Sequence, residues 1–400
     1  VVAENETEAK ALFEKEHGKT NISLKQDEDC LDTWFSSWLW PFEVFKGYSN
    51  PNNEEVNYYY PTNTLVTGPD IIFFWVARMI MAGLEFKKEI PFREVYFTGT
   101  VRDKLGRKMS KSLGNSPDLL GLIDQYGADA TRFGIMIASP AGNDILFDEA
   151  ALEQGRNFNN KIWNALKLVK MWESRQSENE KEENQFAIDW FENRLAEVSA
   201  EVEQMMQQFR LSEALKTIYS LIWDDFCSWY LEWIKPGFEK SINAETYKKS
   251  IEFFSDLMQL LHPFMPFVSE EIYHHLEERN EDLCVKKLSS KDKADQSILN
   301  NGQLLKNVIS GIRDVRNKQQ VKPKETIQLH IQTENKAVYE SISTILSKQL
   351  NTSSIQYTNE TVGGSFTSII EKDKFYIVTE KPVDTSNQKS ELEKELNYLK

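Results

Sequence analysis

The sequence predicts a multidomain protein in which an α/β portion precedes an all-α helix bundle and a small C-terminal α/β unit. Three observations predict this order. An apolar helical segment is followed by a β-rich one before residue 101, helical periodicity begins near residue 155, and short β-rich segments return after residue 325. With 400 residues, the chain is also longer than one ordinary domain.

The distribution of apolar and basic residues argues against a membrane-spanning helix and a signal peptide. No apolar run reaches the roughly 18 residues that a membrane-spanning helix needs. The first residues also lack the basic-then-apolar layout of a signal peptide. We therefore expect a cytoplasmic monomer that makes no membrane contact.

Cysteines and histidines give no sign of a metal site. Cys30, Cys227 and Cys284 lie too far apart for a Cys-x-x-Cys knuckle or a disulfide framework. His274 and His275 are adjacent on a predicted helix, so they would face different directions. We expect reduced thiols and no bound metal.

The α/β portion is predicted from a helix followed by a strand. The segment PDIIFFWVARMIMAG at 69–83 opens with Pro69 and Asp70 and closes with Gly83, which are start and stop signals around a buried apolar helix. EVYFTGTV at 94–101 is β-rich, and we predict it to be a parallel strand buried on both faces.

Helical periodicity dominates the middle of the chain. Two short helices, PDLLGLIDQYG and ADATRFGIMIAS, are separated by Gly127, and four amphipathic helices follow from about residue 155. Pro263 and Pro266 stop the fourth. The apolar residues that repeat every three or four positions are Phe158, Ile162, Leu166 and Val169; Phe191, Leu195, Val198, Val202, Met205 and Phe209; Leu215, Ile218, Ile222, Phe226, Trp229 and Trp233; and Ile251, Phe254, Leu257 and Leu261.

The last hundred residues predict a second α/β unit. A polar linker at 285–300 and a helix at 302–318 precede the strands TIQLHIQ, SSIQY and FYIVTE, the helix AVYESISTILSK and a turn at Gly363 and Gly364. KSELEKELNYLK has the leucine spacing of a coiled coil that is too short to be stable alone. The predicted domains are 1–150, 151–285, 286–388 and 389–400.

A net charge of −15 has the wrong sign for binding nucleic acid through overall electrostatics, so any such binding must use local basic patches. Residues 101–112 carry five basic residues against Asp103, and residues 156–175 carry five against Glu173. The second patch lies on the first bundle helix and could equally be a solvated face. Its candidate phosphate-binding residues are Arg156, Lys161, Lys167 and Lys170.

The sharpest chemical signal is GRKMSKSLGNS at 106–116, directly after the predicted strand. Lys108 and Lys111, with Ser110 and Ser112 and flanking glycines, predict a mobile cationic loop that can close over phosphate oxygens. Cations aimed at a departing pyrophosphate act mainly in the transition state. The alternative is a solvated basic loop.

KMSKS in this position resembles the class I aminoacyl-tRNA synthetases. DTWFSSWLWPF at 32–42, TGPDIIFFWVARMIMAG at 67–83 and VRDKLGRKMSKSLGNSPD at 101–118 are similar to the valine branch of that family, whereas isoleucine enzymes typically show DVWFDSG and GSDQHRGW at the first two places. QGRNFNNKIWNA at 154–165 and LLHPFMPFVSEEIY at 260–273 resemble its anticodon-binding domain. The resemblance implies the second half of a Rossmann-type catalytic domain, then an anticodon-binding bundle.

The resemblance also implies roles for residues at matching positions. Lys111 would contact the ATP phosphates with help from Lys108, while Gly68 and Asp70 would hold the adenosine ribose. Asp70 could also be a helix-start residue favoured by the helix dipole. The full set implied for ATP is Gly68, Asp70, Lys108, Met109, Ser110, Lys111 and Ser112.

Trp34, Ile71 and Trp75 match positions that line or flank the amino-acid pocket, although each could instead be core. Thr98 stands where many relatives have His, so no His-based contact is expected at that position.

The implied parent enzyme activates valine with ATP and Mg²⁺ and transfers it to tRNA(Val). The family's HIGH motif, its neighbouring amino-acid-binding segment and its editing domain match nothing in these 400 residues. We therefore expect this chain alone to form no adenylate. Two alternatives stay open: a fragment of an isoleucine-type synthetase, and a tRNA-binding module without catalysis.

Overall fold

A computed structural model describes residues 1–139, 142–179, 183–288 and 293–379. The chain divides into two compact units, Val1–Thr98 and Gly99–Lys400. The start of a coiled coil predicted at 389–400 lies outside the described residues. None of the described helices is both long and apolar enough to cross a membrane.

The first unit is built around a parallel pair of strands joined by a helical crossover. Because parallel strands cannot be joined by a tight turn, the residues between them form a helical run from Pro69 to Lys87 that mixes 3-10, π and α turns. The strand pair is in register with Leu65 opposite Val95. Its elements are α1 (Glu6–His17), α2 (Thr33–Ser37), α3 (Trp40–Glu43), α4 (Glu54–Tyr59), β1 (Thr62–Thr67), α5 (Ala77–Ala82) and β2 (Phe92–Phe97).

The predicted helix and parallel strand are confirmed, but two details of the crossover are wrong. Gly83 does not end the helix: its backbone is right-handed helical, and the run ends at Lys88, whose φ is 58°. Glycine fits there because an added Cβ would lie 2.9 Å from the Tyr60 hydroxyl. Nor are the predicted helix and strand buried throughout, since Phe73 is 80% exposed and Glu94 of β2 is also exposed. A two-stranded sheet covers only one side of the crossover.

The second unit begins with two short parallel strands and two short helices. The strands are β3 (Val101–Arg102) and β4 (Ile145–Leu146). The two helices predicted on either side of Gly127 are confirmed as α6 (Leu119–Tyr126) and α7 (Ala128–Ile137). Gly127 has a φ of 93°, which L side chains rarely adopt.

The helix bundle follows the predicted apolar periodicity. Phe158, Ile162, Phe191, Phe226 and Phe254 are each 0% exposed in one continuous core. A π-helical run, Leu221–Tyr230, joins two of the helices. The elements are α8 (Glu149–Glu173), β5 (Gln176–Ser177), α9 (Gln185–Gln207), α10 (Leu211–Ser220), α11 (Leu231–Ile234), β6 (Ile242–Asn243), α12 (Ala244–Leu261) and α13 (Pro266–Leu276).

Two helix ends in the bundle differ from the prediction. Pro266 does not only follow a helix; it begins α13, because proline's fixed φ suits the first turn. The second bundle helix ends at Gln207, and Phe209 adopts a φ of 57° beyond it.

The C-terminal part contains the predicted strands and helix. They form a four-stranded sheet in the order β8-β7-β10-β9, in which β7 and β8 are parallel and the other pairs are antiparallel. The elements are α14 (Gln296–Lys318), β7 (Ile327–Gln332), α15 (Lys336–Leu350), β8 (Thr352–Tyr357), β9 (Phe366–Ile370) and β10 (Asp373–Thr379).

Two features of this part were not predicted. Strand β9 returns to β10 through Glu371, whose φ of 54° is unusual for a residue with a side chain, so no Asn-Gly or Asp-Gly signal marked the hairpin. Helix α14 begins at Gln296, inside the predicted linker, because Asp295 accepts a capping hydrogen bond from the Ser297 amide at 2.8 Å.

Helix α14 packs very closely on the bundle, which yields a stability prediction. An added Cβ at Gly302 would lie 2.1 Å from Cδ1 of the buried Trp190, whereas one at Gly311 would meet the flexible end of Ile370 at 2.7 Å. Both substitutions to alanine gain about 1 kcal/mol of helix propensity. We expect Gly302→Ala to be less stable than Gly311→Ala by about 1 to 3 kcal/mol in denaturant unfolding, because Trp190 cannot move aside cheaply. Equal stabilities would contradict this packing.

Candidate functional site

The lysine-rich loop of the second unit begins as a tight hairpin. The Asp103 amide donates to the Arg107 carbonyl at 2.9 Å, the Gly106 amide donates to the Asp103 carbonyl at 2.9 Å, and Arg102 pairs with Lys108 in an antiparallel bridge. Gly106 has a φ of 76°, the left-handed conformation that such a turn favours. The hairpin therefore fixes the position of the residues that follow β3.

Asp103 is the internal anchor of this hairpin. Its Oδ1 accepts from the backbone amides of Leu105 and Arg107 at 3.0 and 2.9 Å, and its Oδ2 accepts from the Arg107 guanidinium at 2.7 to 2.8 Å and from the Asn115 amide at 3.0 Å. These hydrogen bonds, the one from Asn115 foremost and then those from Arg107, hold the pKa of this carboxyl well below its usual value.

Asn115 connects Asp103 to the KMSKS residues through hydrogen bonds. Its Oδ1 accepts from the Ser110 amide at 2.9 Å, and its Nδ2 donates to the Lys108 carbonyl at 3.3 Å as well as to Asp103. The Ser110 hydroxyl accepts from the Leu113 amide at 3.2 Å and lies 3.1 Å from the Ser112 hydroxyl. The predicted mobile loop is thus a folded turn with side-chain hydrogen bonds of its own.

The two lysines of the motif lie on the outside of this turn. Lys108 and Lys111 are both exposed, and Lys111 forms no ion pair with a carboxylate of the described ranges. The Met109 amide donates to the Val101 carbonyl at 3.4 Å. The inward charge of Asp103 is therefore balanced by Arg107, and the motif lysines face solvent.

A second carboxylate, Asp144, ties the strand end to the loop. Asp144 accepts from the Thr100 amide at 3.0 Å and pairs with the Arg102 guanidinium, which lowers its pKa, with smaller help from Lys108. Directly before, an added Cβ at Gly99 would lie 1.9 Å from the Asn143 carbonyl oxygen. Only glycine permits this approach without a shift of the backbone.

Sequence reasoning missed Asp103, Asn115 and Asp144. The available signal was weak: a single acid inside a basic segment, an asparagine after Gly114, and an acid just before a short strand. Their role depends on contacts across 12 and 42 residues, between Asp103 and Asn115 and between Arg102 and Asp144.

Gly68 and Asp70 lie in the first unit, where β1 passes into the crossover. Gly68 has a φ of −87°, and an added Cβ there would meet no described atom within 4 Å. Neither backbone strain nor packing within the chain therefore requires glycine at this position. Asp70 is exposed in the first turn of the crossover helix, which is also where the helix dipole favours an acid.

Two of the three predicted pocket residues lie together in the first unit. Trp34 and Trp75 are half-buried, with ring centroids 4.9 Å apart in an edge-to-face arrangement. Arg78 lies over the Trp34 ring at 5.1 Å. The Asp32 carboxylate accepts from the Trp34 amide at 2.9 Å and so begins α2. Ile71, the third predicted pocket residue, is half-buried at the start of the crossover.

The four basic residues predicted on the first bundle helix do not all share one face. At about 100° per residue, Arg156, Lys167 and Lys170 lie within roughly 60° of each other around α8, whereas Lys161 points about 120° or more away. Lys161 lies over the Trp223 ring at 5.3 Å. Arg156 and Lys170 form ion pairs with Glu153 and Glu173.

Comparison with known proteins identifies the family to which two stretches of the chain are similar. Residues 2–148 match the family of tRNA synthetases class I (I, L, M and V), and residues 189–331 match the anticodon-binding domain of tRNA ligase. The chain belongs to the class I tRNA synthetases. Within this family it is 51% identical to a valine–tRNA ligase of Phocaeicola vulgatus and 45% identical to one of Porphyromonas gingivalis, over its whole length in both cases.

The alignments cover only part of these synthetases. The chain spans 46% of the Phocaeicola and Porphyromonas proteins, or about half their length. A valine–tRNA ligase of Fusobacterium nucleatum is 39% identical over 85% of the chain and 40% of its own length.

A solved structure shares the fold. It is a LeuRS of Agrobacterium radiobacter K84 in a ternary complex with tRNA and LeuAMS, with a TM-score of 0.52 and 16% identity over 83% of this chain and 42% of its own. Together with the two family matches, it confirms the class I synthetase and anticodon-binding folds expected from the sequence.

The anchoring role of Asn115 in this synthetase loop is testable by titration. Because the folded-state pKa of Asp103 lies below 3.8, its ionised form stabilises the fold above about pH 4, and this stabilisation is lost as pH falls through the folded-state value. In Asn115→Ala, we expect Asp103 to titrate at a higher pH, measured from its carboxyl carbon by NMR. Asp148 is the control, since its pKa is lowered by the Ala150 amide and Lys104 instead. An unchanged Asp103 titration would rule out the Asn115 anchor.

Proposed function

We propose that this chain is part of a valine–tRNA ligase: with the remainder of that protein it activates valine with ATP, as the Mg²⁺ complex, and transfers it to tRNA(Val). The observation that carries the proposal is the KMSKS loop, in which Asp103 and Asn115 brace a turn that presents Lys111 outward. The whole-length identity to proteins named valine–tRNA ligase supports valine over isoleucine.

The KMSKS loop would stabilise the negative charge that develops on the departing pyrophosphate. When the valine carboxylate attacks the α-phosphate, negative charge builds on the departing pyrophosphate, and a preoriented ammonium group there stabilises the transition state more than the ground state. Lys111, exposed and without a described carboxylate partner, is suited to this contact, and Lys108 on the same turn would assist. The Met109 backbone would lie beside adenine, and Ser110 and Ser112 would complete the ATP contacts.

The residues of the first unit would bind the rest of the adenylate. Gly68 is compatible with this role because neither packing nor φ requires glycine there, and the missing side chain leaves room for close approach of a ribose. Asp70 would accept from the ribose hydroxyls. Trp34 and Trp75 would form one wall for the valine side chain, with Ile71 nearby, since half-buried aromatic rings offer apolar surface without being closed core.

The first test removes the charge of Lys111 in the full-length protein. We expect Lys111→Ala and Lys111→Met to slow valyl-adenylate formation on the order of 100- to 1,000-fold, about 3 to 4 kcal/mol, with little change in valine affinity. Single-turnover activation and valine-dependent pyrophosphate exchange measure both quantities. Lys104→Ala is the matched control, because Lys104 is in the same hairpin but pairs with Asp148 at 3.2 Å.

Rates within threefold of wild type for both Lys111 variants would reject the role of the loop. Exchange that responds to isoleucine but not valine would instead favour the isoleucine-type alternative. The 400-residue chain alone, which we expect to form no adenylate, gives the assay background.

We further propose that the exposed basic face of α8 contributes to tRNA binding. Residues 189–331, which follow α8 in the chain, match an anticodon-binding domain, and this supports tRNA as a partner of the bundle to which α8 belongs. Arg156, Lys167 and Lys170 share one side of α8 over roughly 20 Å, a length that spans several phosphates of a strand. Lys161, which lies against Trp223 on another side, is less suited to the contact.

If α8 contacts tRNA, substitutions on its two sides should differ in their effect on tRNA binding and on its salt dependence. We expect the double variant Lys167→Ala, Lys170→Ala to weaken tRNA binding and to reduce the slope of log K against log salt concentration by roughly 1 to 2, since each phosphate contact contributes about one to that slope. Lys161→Ala should leave the slope unchanged. Filter binding over a series of salt concentrations measures both. Equal slopes in wild type and the double variant would leave this face as a solvated surface.

A further inference from the structure

A cluster of imidazole and carboxylate groups lies at the end of the bundle, outside the site described above, and it is half-buried except at Asp282. It borders a cleft of about 490 Å³ where the C-terminal end of α12, the middle of α13 and the 3-10 turn Leu283–Val285 meet. Its members are Glu270, His274 and Asp282, with His262 at its border. His262 caps the C-terminal end of α12, and Glu270 and His274 lie in α13. Asp282 directly precedes the 3-10 turn.

Glu270 is fixed at the centre of the cluster by backbone hydrogen bonds. Its Oε1 accepts from the Leu283 amide at 2.6 Å and its Oε2 accepts from the Cys284 amide at 3.2 Å. Each carboxylate oxygen keeps a further lone pair. The position of this carboxylate is therefore set before any ligand binds.

His274 brings a ring nitrogen to two carboxylates at once. Its Nε2 lies 3.2 Å from Glu270 Oε1 and 3.1 Å from Asp282 Oδ1, and the three donor atoms lie within 4.8 Å of one another. Tetrahedral zinc, with bonds of roughly 2.0 to 2.2 Å, separates neighbouring ligand atoms by about 3.3 to 3.6 Å. The two separations from His274, 3.2 and 3.1 Å, are close to the spacing of ligands around one ion.

His262 lies beside this group without belonging to it. Its Nδ1 is 2.9 Å from the Ser269 hydroxyl, and its Nε2 is 3.8 Å from Glu270 Oε2. The second distance is longer than the ligand spacing around one tetrahedral ion, so His262 borders the cluster and is not one of its three donors.

We propose that Glu270, His274 and Asp282 bind a divalent first-row transition metal ion of the Zn²⁺ type. Imidazole nitrogen and carboxylate oxygen are the donors that such ions accept. Residues 270–282 carry six acidic residues against one arginine, which attracts cations. The ion would fasten α13 to the turn that follows.

This inference departs from the expectation of no bound metal, for a reason in the structure. The two adjacent histidines do face different partners, as predicted: His275 pairs with Glu271 at 3.1 Å and contacts the Trp163 ring. The sequence argument considered only pairs of histidines or of cysteines as possible metal ligands. It did not consider carboxylates one helical turn earlier and eight residues later in the chain.

The test is metal binding by the 400-residue chain after treatment with a chelator. We expect titration with ZnCl2 in a calorimeter to give one saturable site, Co²⁺ to give the absorption bands of a low-symmetry nitrogen and oxygen site, and Zn²⁺ to raise the thermal unfolding midpoint. Asp282→Asn, at a side chain that is 68% exposed, and His274→Ala should each weaken Zn²⁺ binding at least tenfold.

The neighbouring pair supplies the matched control. Glu271 and His275 have the same i, i+4 spacing on the same helix but no third ligand among the residues that the structure describes, so His275→Ala should leave the affinity unchanged. Absence of a saturable Zn²⁺ signal would overturn the proposal and leave a network of contacts between histidine and carboxylate side chains. Equal losses in His274→Ala and His275→Ala would also overturn it, because that result describes weak chelation along the surface of α13.

Discussion

The arrangement of the synthetase loop depends on one buried carboxylate. Asp103 is the only acidic residue among residues 101–112, and it is turned inward, where it receives two backbone amides, a guanidinium and the Asn115 amide. Without it, the four converging donors would have no shared acceptor, and hydrogen-bond donors left unpaired in a partly buried turn are costly. The inward placement of this negative charge also keeps it away from Lys111, so the local field outside the loop stays positive.

A similar constraint operates in the bundle. Asp225 is buried and accepts from the Arg194 guanidinium at 2.8 Å and from the Lys306 ammonium at 2.5 Å, while Lys306 also lies over the Trp190 ring at 4.5 Å. One acid therefore links α9, the π-helical run and α14. The family's anticodon-binding region and the C-terminal sheet share one hydrophobic core partly because this ion pair and the close approach at Gly302 hold α14 against the bundle.

The sequence could predict what depends on local pattern. Apolar periodicity identified the bundle helices, since residues such as Phe158 and Phe254 repeat at helical spacing and are fully buried. The spelling of KMSKS identified the loop and its exposed lysines. Strand β9 and the start of α14 were missed because a turn through Glu371 and a cap from Asp295 carry no strong signal in single residues. The limits proposed for the four domains stay predictions.

The anchors of the site escaped prediction for a different reason. Asp103, Asn115 and Asp144 act through side-chain hydrogen bonds to residues distant in sequence, which neither periodicity nor composition records. The proximity of Trp34 and Trp75 likewise arises from packing between α2 and the crossover. The basic residues of α8 could be named from the sequence, but their division between two sides of the helix required the helix to be built as a whole.

Gly68 has a consequence for how variation in this protein is interpreted. A methyl group at this position would touch no described atom of the chain and would not strain the backbone. Screens that score yield, solubility or protease resistance would therefore record a substitution to alanine as harmless. If a nucleotide does approach there, the same change would be harmful only in a cell that depends on this protein for growth. Tolerance maps built on folding alone would overlook such positions, and the disagreement between the two kinds of screen would itself mark the ligand-facing surface.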